Sequence, residues 1–573
     1  MQFLWKTCCI ISIATAVTAQ TDEFPILVYG ASSAGIAAAI TASKNSTVSV
    51  ALVEPLLLVG GMLSAGGLFL NDQLDSSFNS FFVSGVAREL MDKVNAHYSS
   101  KSDVVLPDMW VAQAAIDEML AARPSIKIMT GCDLISANRS GATITSISVD
   151  CIDGLHELSA SVFIDASYSG DLLVASGVSY TFGREANTTY DESLGGVLDF
   201  SDGEDDFKVN STRAVDSNGN LLPNIDPGSL PLPGGADDRM MAYQHRACVT
   251  KDIGLRIPFF QPDGYNRSDF ALLQELLDQN EEENHKSGNK SIIKAPTLST
   301  FASLIPFSGA VANAGRHKLQ LCCGGWPVNS DVITLNIGYI GENSTAEMRR
   351  LINAKHTRYL LGALYYLAND VAVPNATRSD AAQYGLCGDE WTTSNPPYWP
   401  PQLYVREGAR LVNDNVLTQK TLIENRVKSD GIAVGAWYLD KHVVTRISNG
   451  GWAKNEGHFR APTSWTGRGD KWCNVRADQC RNVTAEFYDV PLSALLPRRS
   501  EAINLIVPTS LAASSVAYTS TRIESMFMAT GSAAGVLATL ANEMGSAVQD
   551  VQVIDVQNVL QSLGQRIHGP PEK

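Results

Sequence analysis

Short apolar runs separated by glycine turns open the chain. Residues 24–29 (Phe-Pro-Ile-Leu-Val-Tyr) and 48–53 (Val-Ser-Val-Ala-Leu-Val) are rich in branched and aromatic side chains, and an Ala-rich segment, 36–43, lies between them. Strand, glycine turn, helix and strand in that order predict a parallel βαβ unit. Further apolar periodicity predicts a helix from Trp110 to Ala122, strands at 126–130 and 144–151, and a buried strand at 162–165 that ends in Asp165. Helices are expected over 270–277, 346–367 and 525–542, with a buried strand at 504–508. Between 188 and 488 the periodicity weakens and Pro, Gly, Asn and aromatic residues accumulate, so 216–237 reads as loop. A chain of 573 residues exceeds one simple core. The pattern divides it into an α/β domain over 20–187, an insertion over 188–488, and a return to the first domain over 489–573.

The first βαβ unit carries the chemistry of dinucleotide binding. Gly30 closes the turn after the first strand, Gly35 lets the helix pack against that strand, and Ser32, Ser33 and Ala34 lie between them. The helix then directs free N–H groups toward a diphosphate. Glu54 ends the second strand about 20 residues past the glycines, where a carboxylate accepts from a ribose hydroxyl and disfavours a 2′-phosphate. Ser32 stands where Gly-x-Gly-x-x-Gly has its middle glycine. An ordinary parallel βαβ with a tight turn is the alternative on Gly30 and Gly35 alone.

The run from Glu54 through Gly60-Gly61-Met62-Leu63-Ser64-Ala65-Gly66-Gly67 resembles the FAD-dependent oxidoreductases of the glutathione-reductase-like superfamily, in the group with a "GGM…GG" segment. Three later segments are similar to the same group: Phe163 to Glu185 with Asp165 and Gly170-Asp171; Tyr404-Val405-Arg406-Glu407; and Arg522-Ile523-Glu524 through Gly531, Ala533, Ala534 and Gly535. The resemblance implies an α/β fold, a Rossmann-like FAD-binding domain of glutathione-reductase type with an inserted α+β substrate or cap domain. It implies FAD held at Gly30 to Gly35, Glu54, Gly61 and Met62. Asp165 and Asp171 would lie beside the diphosphate and ribityl chain, or serve only as turn-formers. The small-residue start of the last helix, at Gly531, Ala533 and Ala534, would bring N–H groups to the flavin carbonyl side.

Proton carriers are expected in or near the insertion. His442 and His458 are the candidates there, and Arg406 and Arg522 could clamp a carbonyl or anionic substrate or form internal ion pairs. The group commonly has Ser-x-Ser-His-Val-Ala before its Arg-x-Glu motif; here residues 512–517 read Ala-Ala-Ser-Ser-Val-Ala, with Ser515 at the histidine position. Tyr518 or His442 would have to take over a proton-transfer role. Seven of the nine tryptophans fall between Trp326 and Trp472, which suits core packing or stacking on a planar or sugar substrate.

Composition narrows compartment and partners. Residues 1–19 read as a secretory signal peptide cleaved after Ala19, and no later run is long enough to span a bilayer, so no membrane partner is expected. Glycosylation acceptors at Asn45, Asn138, Asn187, Asn210, Asn266, Asn289, Asn343, Asn375 and Asn482 agree with export. The eight cysteines after the signal suit disulfides, with Cys473 and Cys480 the nearest pair, and no ligand spacing predicts a metal. A net charge of −16 and an isoelectric point near 5.1 exclude nucleic acid as an expected partner. The expected activity is a two-electron oxidation of a small-molecule substrate: an alcohol, an amine, or a ring carbon of a sugar or natural product. Molecular oxygen or another small electron acceptor would reoxidise the flavin. A secreted glycoprotein using the fold as a polysaccharide- or partner-binding scaffold is the competing expectation. An NAD-dependent dehydrogenase is disfavoured, because no second glycine fingerprint follows.

Overall fold

The computed structural model describes residues 20–569, apart from 45–47, 71–82, 199–211, 287–296, 308–316, 323–327, 329, 342–343, 424–426, 436 and 462–486. The expected signal segment and the Cys473 and Cys480 pair lie outside the described residues.

The predicted βαβ unit is the centre of the main sheet. β1 (Gln20–Tyr29) leads through α1 (Ser33–Ala42) to β2 (Val50–Glu54). α2 (Met109–Ala121) then precedes β3 (Ile126–Thr130), β4 (Asp133–Ser140), β5 (Thr143–Cys151) and β6 (Gly154–Asp165). The sheet order is β3-β2-β1-β6-β5-β4. β1 pairs in parallel with β2 and β6, whereas β4, β5 and β6 run antiparallel. Continuous apolar runs in β1 and β2 match strands covered on both faces.

The insertion builds a separate antiparallel sheet and a second apolar core. Its strands are β7 (Cys248–Thr250), β8 (Arg256–Pro258), β9 (Ser303–Pro306), β10 (Lys318–Cys322) and, after the 24-residue α3 (Ala346–Asn369), β11 (Gly385–Cys387). Thr345 caps α3 by accepting from the Met348 N–H, which fixes its start nearly two turns before its first buried residue, Ile352. The smaller core gathers Phe270, Leu364, Tyr366 and Trp399. Residues 403–439, assigned to the insertion by sequence, contribute Leu403, Ala409, Leu411, Ile432 and Leu439 to the larger core instead. That segment includes β12 (Gly431–Gly435) and β13 (Leu439–Lys441), and β12 pairs with β14 (Tyr488–Pro491).

The chain finishes inside the first domain. β15, expected over 504–508, is the two-residue strand Leu505–Ile506, which adds to β6 in parallel. α4 (Ser515–Thr521) and α5 (Glu524–Met544) follow. A Cβ on Gly531 would lie 2.1 Å from the Ala34 carbonyl oxygen, and one on Gly535 would lie 2.3 Å from that of Ala38. The two glycines, four apart on one helical face, therefore let α5 lie directly on α1. Among the described residues no single helix is long and apolar enough to cross a membrane; α4 and α5 meet that test only together, bent by 92°. Disulfides join Cys132 to Cys151 and Cys248 to Cys387. One grouping has ligand-like proximity, Cys151 with Asp153 and His156, but the Cys151 sulfur is already in a disulfide.

Candidate active site

Glycines at the end of β1 make room for main chain. Gly30 has φ +92°, and a Cβ there would lie 2.6 Å from the Ser167 nitrogen; a Cβ on Gly35 would lie 1.8 Å from the Gly30 oxygen. No other residue fits either place. Ser32 replaces the middle glycine without blocking the turn, because its hydroxyl donates to the Ala166 carbonyl at 2.6 Å and accepts from the Gly35 N–H. Glu54 accepts from the Ala31 N–H at 2.6 Å and the Leu56 N–H at 2.9 Å. Burial raises its carboxyl to about 7 against the effect of those bonds.

These residues open on a cleft lined by Gly30, Ser32, Glu54, Gly61 and Asp171 on one side. The other predicted cofactor residues do not line it. Ser33 donates to Glu524, Ala34 packs under Gly531, and Gly35 meets Gly30. Met62 donates its N–H to the Tyr168 hydroxyl, which in turn donates to Glu524 at 2.9 Å. Asp165 accepts from Ser167 and from the Leu173 N–H and is fully buried, so it holds the turn after β6. Gly531, Ala533 and Ala534 are buried in α5, and Gly531 faces α1. The small-residue surface expected to approach the flavin therefore includes a helix-packing face. Glu524, which sequence pairs with Arg522, is instead the hub joining Ser33 and Tyr168, and burial raises it to about 7.

A second cluster forms around Tyr404. The guanidinium carbons of Arg406, Arg246 and Arg522 lie 4.9, 5.3 and 5.7 Å from its ring centroid, and Arg522 donates to its hydroxyl. Arg406 pairs with Asp331 at 2.8 Å, and Arg522 with Asp440 at 3.0 Å. His442, set by the end of β13, places Nδ1 2.7 Å from Asp331 and Nε2 3.4 Å from Asp440. Burial and Arg406 act to lower its pKa, but the two carboxylates outweigh them and the net shift is upward. Burial likewise works against the Asp331 carboxylate, yet Arg406 and His442 hold it well below the usual range. All of these side chains are buried.

Sequence reasoning named Arg406, His442 and Arg522, took Tyr404 only as part of a family segment and Asp440 only as a neighbour of His442 in sequence, and missed Asp331 and Arg246. Tyr518 is not hydrogen-bonded into the cluster: its hydroxyl donates to the Thr509 carbonyl at 3.2 Å, and burial pushes its pKa far up. Ser515, at the expected histidine position, donates to Glu407 at 2.8 Å and accepts from Lys441, while Glu407 pairs with Arg410. That position is a buried polar cross-link. The cluster reaches the "GGM…GG" segment through Gln320, which accepts from Arg246 at 3.0 Å and donates to the Gly67 carbonyl; separately, the indole of Trp391 donates to the Ser64 carbonyl at 2.9 Å. Trp391, Trp399 and Trp437 are buried, as core tryptophans are.

Comparisons with known proteins bear on the cleft. Residues 25–560 match the model of the family described as FAD dependent oxidoreductase. Thiamine thiazole synthase of Arabidopsis thaliana is 33% identical over 133 residues, 22% of this chain and 35% of that protein. Thiamine thiazole synthase 2 of Zea mays is 32% identical over 133 residues, 22% and 34%. The chain thus spans about a third of the length of the curated relatives it matches. Among solved structures, L-proline dehydrogenase from P. horikoshii aligns with TM-score 0.18 and 16% identity over 30% of this chain and 26% of that one. A p-nitrophenol 4-monooxygenase from Pseudomonas putida aligns at 0.21 and 12% over 29% and 46%. The family match covers nearly all of the described residues, and the chain belongs to the FAD-dependent oxidoreductase family.

Proposed function

We propose that this oxidoreductase performs a two-electron oxidation of a small organic substrate at the Tyr404 cluster, with molecular oxygen as the electron acceptor, in an exported compartment. FAD is the cofactor of the family, and the cleft fits it on three counts: Gly30 and Gly61 in its wall, an acid at the end of β2, and Ser32 capping the start of α1. When bound it supplies the two-electron acceptor, and the protein has only to orient a substrate and move a proton. The family match favours an enzyme over a bare binding scaffold.

One observation carries the assignment: a buried imidazole held between two carboxylates, each of which also pairs with an arginine that lies over the Tyr404 ring. Asp331 accepts from the Nδ1–H and so fixes the tautomer, which leaves Nε2 to take the proton of a substrate hydroxyl or amine. Asp331 and Asp440 then stabilise the imidazolium. Arg406 and Arg522 hold a substrate oxygen, and the Tyr404 ring keeps their planes in place. Because the carboxylates raise the pKa of His442, turnover rises with pH as the imidazole loses its proton. The substrate is an alcohol, an amine, or a ring carbon of a sugar or natural product.

Export is supported by the two disulfides and by exposure of the described acceptor asparagines Asn138, Asn187, Asn266 and Asn375. The test combines variants with rapid kinetics. His442→Ala and Arg406→Ala should lose turnover at full flavin occupancy, and substrate-reduced wild type mixed with air-saturated buffer should regain its yellow spectrum with stoichiometric peroxide. Normal turnover in both variants removes the cluster from the reaction, and a flavin that stays reduced in air until a quinone is added removes oxygen.

A further inference from the structure

The far wall of the cleft comes from the insertion. α3 turns Ala346, Arg349, Arg350 and Asn353 toward it, which at spacings of three, four and seven residues is one helical face. Glu54, Asp133 and Asp171 line the same cleft, so its lining holds three carboxyl groups against two guanidiniums. Arg349 is largely buried, at 17% exposure, and pairs with Asp171 at 3.2 Å while donating to the Ser344 hydroxyl at 3.1 Å. Burial opposes its charge, and Asp171 more than restores it. Arg350 is 64% exposed and pairs with Asp133.

A diphosphate entering this cleft adds two negative charges to an acidic lining. The start of α1 offers about half a positive charge, so it cannot balance them alone. Each carboxylate within about 4–6 Å of the diphosphate adds to the repulsion. Among the lining residues the cations are Arg349 and Arg350, both on α3 and both already ordered by an aspartate.

We propose that Arg349, assisted by Arg350, gives up its aspartate partner for the diphosphate of the dinucleotide, so that a helix of the insertion forms the cationic jaw of the cofactor site. Asp171 holds the guanidinium in place before the ligand arrives and competes with it afterwards. The proposal rests on the cofactor of the family and is independent of the oxidation assigned to the Tyr404 cluster.

The test measures binding to the full-length chain. The dissociation constant for FAD is read from flavin fluorescence recovered on dilution, and ADP and adenosine are compared as competitors for the same site. Arg349→Gln should weaken FAD and ADP by roughly 10- to 100-fold and leave adenosine unchanged. Arg350→Gln, at an exposed position, should weaken ADP severalfold without disturbing the fold. Asp171→Asn removes the competing acceptor and should tighten ADP. If Arg349→Gln binds ADP as tightly as wild type, or if Asp171→Asn weakens ADP as much as Arg349→Gln does, the pair is a brace between domains and the jaw assignment is overturned. A wild-type chain that binds no FAD would instead refute the cofactor reading.

Discussion

Gly531→Ala tests how tightly α5 is bound to the nucleotide-binding turn. In an isolated helix the change is favourable, because Ala exceeds Gly by about 1 kcal/mol in helix propensity. Here the added methyl would sit 2.1 Å from the Ala34 oxygen, 2.6 Å from its Cα and 2.7 Å from its carbonyl carbon. Ordinary carbon contacts lie at about 3.5–4.0 Å, so the two helices must separate by roughly 1 Å. The obstructing atoms are main chain, and no rotamer change relieves them. Inserting a methyl into such packing costs typically 1–3 kcal/mol and sometimes more. The upper end applies, and after the propensity gain about 2 kcal/mol of destabilisation remains. Movement of α1 also stretches the cross-helix bond from the Thr41 hydroxyl to the Ser532 carbonyl, now 3.1 Å, and displaces the turn that begins α1. Urea unfolding should show a lower midpoint at an unchanged slope, and FAD affinity should fall with it. Gly254→Ala is the control, since its Cβ would meet only the Asp252 carboxylate at 3.5 Å and should shift stability by less than about 0.5 kcal/mol. A Gly531→Ala protein as stable as wild type, with normal FAD affinity, would refute the steric argument.

Two further expectations concern stability. Burial raises Glu54, Asp165, Glu390 and Glu524 to about 7, so between about pH 4.5 and 7 the folded chain binds protons that the unfolded chain has lost, and unfolding free energy falls as pH rises. His245 and His356, lowered by burial to about 4 and about 3, oppose this below about pH 6.5 but are outnumbered two to four, so the net decline runs from about pH 5 to about pH 7 and fades above it; urea midpoints across that range should fall, Glu524→Gln should flatten the fall, and a rising profile would contradict the assignment. The Cys248 to Cys387 bridge closes 139 residues and the Cys132 to Cys151 bridge closes 19, so chain entropy assigns them about 5 and about 3 kcal/mol. Replacing the first pair by serines should lower the urea midpoint more than replacing the second, and the reverse order would show that loop length does not govern their effect.

What the sequence made legible was local. Gly30, Gly35 and Glu54 lie within one βαβ unit, and their spacing reports a turn whose geometry depends on few other residues. Even the departure at Ser32 has a local reason, a hydroxyl that caps the helix it precedes. The Tyr404 cluster was legible only in part. Arg406 and His442 stand in recognisable segments, but Asp331 is 75 residues from the first and 111 from the second, and no periodicity encodes a pairing at that range. Glu524 meets Ser33 across 491 residues, so a motif that places it beside Arg522 in sequence says nothing of its true partner. Gly531 and Gly535 were visible as a small-residue stripe, yet whether such a stripe admits a ligand or a helix depends on what packs there.

The close fit of α5 on α1 also orders events during synthesis. The turn at Gly30 to Gly35 is made long before its partners Glu524 and Gly531, since Ser33 and Glu524 stand 491 residues apart. Until the insertion and α5 have been made, Ser33 lacks its carboxylate, and β6 has β1 but not β15 as a parallel neighbour. The nascent chain must carry an open half-sheet through synthesis of the whole insertion, with apolar β1 and β6 surfaces awaiting cover. Cofactor capture therefore belongs after α5 has been made, and a chain interrupted before α5 would leave the buried face of α1 exposed for chaperones and proteases to recognise.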